Sequence, residues 1–208
     1  VEVLDFAGPY EVFNVTAELQ AEGGDPPPFI VYTVAETVAQ PVKTRGKLLV
    51  QPNHAIDDHT LPQPDILIIP GGNGSRALLN KPHVITWIQE QAPKVQILAS
   101  VCTGSLLLAK AGLLSGSVTT HHNAVDHLRA LLAATAGDTQ IVAQRYIDQG
   151  KIITSGGISA GIDMSLYLVH KLLGQQALEA TTKEMEYVWT PDTDLSSPWH
   201  EAVLNNKK

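Results

Sequence analysis

The feature that most limits what this chain can become is the uninterrupted apolar run Ile66-Leu67-Ile68-Ile69, opened by Asp65 and closed by Pro70-Gly71-Gly72-Asn73-Gly74. A strand with one wet face alternates apolar and polar residues, and this run does not. Runs of this kind are buried on both faces of a parallel sheet, whose crossover connections lay helices over each side. A second buried strand is expected at Val95 to Val101. The uncharged stretch that contains it, Val95 to Ala109, is about five residues short of a membrane span, so it reads as core.

The remaining pattern supplies the covering helices. An apolar face at Val12, Phe13, Val15 and Leu19 follows Gly8-Pro9 and predicts a helix with proline near its first turn. Strands are expected at Phe29 to Val34, Lys47 to Val50 and Val118 to Thr120, and a strand pair at Ile141 to Tyr146 and Lys151 to Thr154, turning at Asp148-Gln149-Gly150. Helices are expected at Ser75 to Gln91 (broken near Pro82), Thr103 to Ala111, Asn123 to Ala134, Ala160 to Leu173 and Gln175 to Tyr187. Gly23-Gly24-Asp25-Pro26-Pro27-Pro28 reads as a surface loop. Strands alternating with helices argue for an α/β, doubly wound, mostly parallel sheet, whose sites lie at the carboxyl ends of the strands.

Composition narrows the function classes. Across 208 residues, 14 Lys+Arg against 21 Asp+Glu leave a formal charge of −7, which disfavours a nucleic-acid partner. With 44% apolar and 17% charged residues the chain suits a packed globule, and its length fits one domain. The single cysteine, Cys102, excludes an intrachain disulfide. With no signal peptide or membrane span to read, the expected location is the cytoplasm.

That cysteine sits in Ser100-Val101-Cys102-Thr103-Gly104, where a buried strand turns into a helix. This is the context of a nucleophile elbow, and a helix N-terminus there would favour a preformed thiolate. The plainer alternative is a small buried hydrophobe. Gly71 and Gly72 end the preceding strand, so the Gly72 and Thr103 N–H groups are candidates for an oxyanion pair. The glycine spacing fits neither a dinucleotide fingerprint nor a phosphate loop. Gly157-Ile158-Ser159-Ala160-Gly161 matches the G-x-S-x-G hydrolase pattern and makes Ser159 a rival nucleophile, with Glu179, Glu184 or Glu186 and His200 as nominal partners. His200 follows Pro191 and Pro198 in a polar tail, a poor place for a fixed base, and the plain reading of Ser159 is a helix cap. His121, His122, His127 and Asp126 allow a metal reading without completing a convincing ligand set. His121, ending a short strand, is the better candidate to line a cleft beside Cys102. Asp5, between Leu4 and Phe6, is either a helix cap or a site residue, and on spacing alone the cap is preferred.

Taken together, Leu4-Asp5-Phe6-Ala7-Gly8-Pro9, Pro70-Gly71-Gly72, Ser100-Val101-Cys102-Thr103-Gly104, Thr119-Thr120-His121 and Gly156-Gly157-Ile158-Ser159-Ala160-Gly161-Ile162-Asp163 resemble the ThiJ/PfpI superfamily, with its flavodoxin-like, class I glutamine amidotransferase-like fold. Within it the residues look most like the isonitrile hydratases and the amidotransferase-like sensor domains of AraC-type regulators. The resemblance implies Cys102, Thr103 and Asp5 as the catalytic group, which displaces the cap reading of Asp5 and demotes Ser159. Gly72, Thr103 and His121 keep the substrate-binding or oxyanion roles that their positions suggest, and the resemblance implies no metal or organic cofactor, a small-molecule substrate and a homodimer. The activity implied is cysteine-dependent hydration of an isonitrile, or a similarly small electrophile, to an N-substituted formamide. The alternatives are ligand sensing without turnover and aldehyde detoxification or deglycation by the same cysteine.

The resemblance places one domain over residues 1–190 and a tail over 191–208. It also predicts about ten further residues upstream, enough for a first, central strand. A DNA-binding module is not expected after the last helix. The chain departs from the family pattern at His122, where relatives often carry tryptophan, and at Tyr187-Val188-Trp189-Thr190-Pro191, where hydratases continue with a proline-rich segment.

Overall fold

The computed structural model describes residues 1–21, 26–134 and 137–190. Along the chain run helix α1 (Val3–Gln20), the two-residue strands β1 (Val34–Ala35), β2 (Val42–Lys43), β3 (Leu49–Val50) and β4 (His54–Ala55), strand β5 (Ile66–Ile69), helices α2 (Asn73–Leu78) and α3 (Pro82–Gln91), strand β6 (Ile97–Val101) and helix α4 (Gly104–Lys110). There follow strand β7 (Ser117–Val118), a 3-10 turn (His122–Ala124), helix α5 (Val125–Leu132), strands β8 (Gln140–Ile141), β9 (Tyr146–Gln149) and β10 (Ile152–Ser155), and helices α6 (Ala160–Leu173) and α7 (Gln175–Glu184). The expected loop at 23–28 falls partly, and the tail with His200 wholly, outside the described residues.

The main sheet has the order β5-β6-β10-β9. Its first three strands are parallel and β9 is the antiparallel edge. Every residue of β6 is buried, and period-two alternation divides its side chains between two cores. Leu98 packs with Leu67, Ile69, Ile88, Leu106 and Leu128 under helices α3 to α5, whereas Ile97, Ala99 and Val101 pack with Val12, Phe13, Met164 and Leu168 from α1 and α6. Helices on both faces make this an α/β, flavodoxin-like, doubly wound fold. Among the described residues no helix is long and apolar enough to cross a membrane.

Three local expectations are corrected. Helix α1 starts at Val3 rather than near Gly8, because the Glu2 side chain accepts the Val3 N–H and caps it; Pro9 is therefore interior and Asp5 lies in the first turn, not at the cap. The strand partner of β10 is Tyr146–Gln149 rather than Ile141–Tyr146. A two-residue turn at Gly150-Lys151, with Gly150 at φ 83° and its N–H donated to Asp148 Oδ1 at 2.6 Å, fixes the register at Gln149 opposite Ile152. Of the run Phe29 to Val34 only Val34 is in a strand, since β1 pairs solely with β4. Phe29 and Val31 instead pack against the α1-side core, where Phe29 meets the Phe13 ring edge-on at 4.9 Å.

Candidate active site

Parallel pairing puts the carboxyl ends of β5, β6 and β10 along one edge of the sheet, since Ile69 lies opposite Ser100 and Val101 opposite Ser155. Cys102 follows β6 at that edge with φ 60°, a left-handed conformation that costs a non-glycine residue about 1–2 kcal/mol. The neighbours hold it there. Its N–H lies 3.1 Å from both the Ser155 and the Gly156 carbonyls, and its own carbonyl accepts the Thr120 hydroxyl at 3.1 Å. Ser105, in the first turn of α4, braces Thr120 at 2.7 Å. Gly104 lets the helix begin this close to the sheet, because a Cβ there would fall 2.0 Å from the Ile69 carbonyl.

The thiol is 4% exposed, and across from it stands Asp5, fully buried. One carboxylate oxygen of Asp5 accepts the Gly71 N–H at 3.0 Å, while Oδ1 has no hydrogen-bond partner among the described residues. The thiol faces this carboxyl. Their proton affinities are linked: burial pushes Asp5 up to about 6, against the pull of the thiol and of Gly71 N–H. Burial and then the Asp5 charge push Cys102 up to about 12, with the Thr103 N–H and hydroxyl opposing. At neutral pH the pair is thus a carboxylate beside a protonated thiol. The expectation of a preformed thiolate is corrected: burial and a neighbouring anion outweigh whatever the short helix α4 offers.

Thr103 belongs to this group, but its hydroxyl is committed to the structure. Thr103 Oγ1 accepts the Gly72 N–H at 2.8 Å and lies 2.8 Å from Ser75 Oγ. The idea that Gly72 N–H and Thr103 N–H form an oxyanion pair is therefore corrected in its first half: Gly72 lines the cleft, its donor is spent on Thr103 Oγ1, and the Thr103 N–H faces the sulfur. His121 reaches the same cleft. Its Nδ1 accepts the Asn123 N–H at 3.2 Å, so in the neutral ring the proton sits on Nε2. Its ring packs so closely on Gly157 that a Cβ there would lie 1.9 Å from Cδ2. The His122 ring stacks on it at 4.2 Å between centroids.

The structure brings Cys102, Thr103, Gly72 and His121 to one cleft of about 70 Å³ and sets the buried Asp5 against the thiol, outside the lining. Sequence reasoning missed the rest of the lining, namely Glu2, Arg45, Asn73, Arg76, Asn123 and Ile158. Asn73 sits inside the Gly71-Gly72-Asn73-Gly74 turn and Ile158 inside Gly157-Ile158-Ser159-Ala160-Gly161, but neither side chain carries the chemistry of its motif; Glu2, Arg45, Arg76 and Asn123 lie in no motif. A larger cavity of about 330 Å³ opens beside β9, lined by Tyr146, Asp148 and Tyr167 among others. Asp148 there is already engaged by the Lys171 ammonium and the Tyr167 hydroxyl, so the smaller cleft, which holds the thiol, is the better reaction site.

The rival constellations do not assemble. Ser159 sits at the start of α6 without capping it, and its hydroxyl takes a hydrogen bond from Arg145 Nη2 at 3.0 Å. Arg145 also pairs with Asp163, which accepts the Tyr187 hydroxyl at 3.0 Å, so this elbow is braced by an ion pair rather than armed by a base. Asp126 pairs with Arg129, and among the described residues no three His, Cys, Asp or Glu side chains converge as a metal site.

Residues 1–171 match the DJ-1/PfpI family. The chain is 33% identical to isonitrile hydratase from Pseudomonas putida over 95% of its own length and 79% of that protein. It is also 33% identical to the HTH-type transcriptional regulator GbdR of Pseudomonas aeruginosa over 66% of this chain and 36% of the regulator. Among solved structures, a THiJ/PfpI family protein from Pseudomonas syringae is similar at a TM-score of 0.75 and 26% identity, covering 95% of this chain and 75% of that one. On these matches and on its fold, the chain belongs to the DJ-1/PfpI family.

Proposed function

We propose that the protein hydrates a small electrophile, with an isonitrile as the leading substrate, through covalent catalysis by Cys102. The observation that carries this reading is the buried Asp5 carboxylate, with one oxygen unpaired, facing the sole cysteine. An unpaired buried carboxylate oxygen is costly and is kept where a proton must be handled. Asp5 takes the thiol proton as sulfur attacks the terminal carbon and delivers it to that carbon, giving an enzyme-bound thioimidate with new S–C and C–H bonds. Asp5, ionised again, then deprotonates a water. Hydroxide adds to the carbon and the imine nitrogen gains the proton. The C–S bond breaks, the hydroxyl proton returns to sulfur through Asp5, and an N-substituted formamide leaves. Thr103 N–H steadies the sulfur, and His121, which lines the cleft, bounds the space that the substrate enters.

The test is formamide formation from a simple isonitrile by the purified protein, repeated with Cys102→Ala. Turnover by the variant at the parent's rate would exclude the thioimidate route, and faster consumption of methylglyoxal than of isonitrile would favour aldehyde detoxification. A second reading, ligand sensing without turnover, is favoured by the likeness to the regulator and by a thiol that rests protonated. Saturable binding with no product would select it. The family resemblance also proposes a homodimer, which sedimentation equilibrium reads directly.

A further inference from the structure

We propose that the cleft selects electrophiles carrying a carboxylate, with Arg76 as the residue that reads it. The proposal rests on the reading of the Cys102 cleft as the reaction site and adds the charge class of what enters it. Two guanidinium groups line the cleft, Arg45 and Arg76. Arg45 is already neutralised, since its Nη1 lies 3.2 Å from Glu2 Oε2, and Glu2 is in turn held by the Val3 N–H. Arg76, on the exposed face of α2, makes no ion pair or side-chain hydrogen bond among the described residues. The remaining lining is polar apart from Ile158 and Cys102, with Asn73, Asn123, Thr103 and His121 around the opening.

An alkyl or cyclic substituent finds little apolar wall here. A planar carboxylate finds a five-donor fork that matches it bidentately. The small volume favours a carboxylate within a few bonds of the electrophilic carbon over a bulkier anion. Asp5 does not cancel this attraction from the mouth: it is fully buried and does not line the cleft.

Cys102 is the sole cysteine, so its alkylation reports on this cleft alone and needs no knowledge of the natural reaction. Iodoacetate and iodoacetamide present the same carbon to sulfur: an S–C bond forms, a C–I bond breaks and iodide leaves, so only the charge differs. The ratio of the two rates cancels differences in thiol ionisation. Losing one charge-assisted, bidentate contact in Arg76→Gln is expected to lower the iodoacetate-to-iodoacetamide ratio about tenfold, with Arg76→Lys in between. Arg45→Gln is expected to lower it less, because Glu2 already holds that charge. Circular dichroism establishes that each variant is folded. A ratio that Arg76→Gln leaves unchanged would overturn the proposal, whether or not isonitriles are turned over. A falling ratio without isonitrile turnover supports the charge selectivity while refuting the hydratase reading.

Discussion

Two neighbouring strands of this sheet each end in a glycine-flanked turn that launches a helix, and they differ in what faces the turn. After β6, Cys102 is pinned in a left-handed backbone with its thiol opposite a buried carboxylate that retains an unpaired oxygen. After β10, Ser159 has ordinary helical angles and a hydroxyl bonded to Arg145, whose charge Asp163 balances. The second turn carries the literal hydrolase pattern and the first does not. On the proposed reading, reactivity follows the unsatisfied partner rather than the spelling of the motif.

The comparison breaks most sharply at Cys102. Cys102→Ala should lower turnover by roughly a thousandfold or more, since no other group here forms the covalent intermediate; steady-state kinetics decide this, and a small loss would mean the turn is only structural. Asp5→Asn should cost about 10²–10⁴ in kcat/KM by removing the proton carrier. The parent enzyme's kcat/KM should rise with pH through the Asp5 ionisation near 6 and level above it. The same variant should be more stable than the parent at pH 7. Asp5 is held above its ordinary value of 3.8, so between pH 4 and pH 6 the folded state keeps a proton the unfolded chain has lost. Stability is therefore fully present below pH 4, falls as pH rises to about 6, and is flat beyond, a loss of up to about 3 kcal/mol that asparagine avoids. Urea melts of both proteins at pH 4 and pH 7 should show that difference shrinking at the lower pH.

At the other turn the signs reverse. Asp163→Asn leaves the Arg145 charge without its counterion and should destabilise the fold by about 2–4 kcal/mol, read by denaturant titration, while the folded fraction retains its turnover. Ser159→Ala gives the smallest effect, within about 1 kcal/mol of stability and about twofold of activity. A large activity loss in that variant would reopen the serine as a participant.

Much of this was legible before any coordinates. The run Ile66 to Ile69 and the stretch Val95 to Val101 announced a sheet buried on both faces, and the strand-to-helix turn placed Cys102 at its productive edge. Helix α6 was expected and found at Ala160 to Leu173. The start of α1 was misjudged, because Pro9 resembles a first-turn proline and a capping glutamate at Glu2 is an uncommon choice. The hairpin register was misjudged because Gly150 and Lys151, not Asp148 to Gly150, make the turn.

Asp5 divides the two kinds of knowledge. Motif order singled it out, and spacing alone preferred a cap, yet the sequence carries no information on whether the chain brings Gly71, sixty-six positions away, to within 3.0 Å of its carboxylate. Hydrophobic periodicity is local, so the sequence by itself determined the layers, the strand-to-helix turn and the sole cysteine that sits in it. Proton affinity depends on burial and on charges brought together from distant segments, so only the tertiary structure decided that the thiol rests protonated, that the Gly72 donor is already used, and that Arg76 stands at the mouth of the cleft.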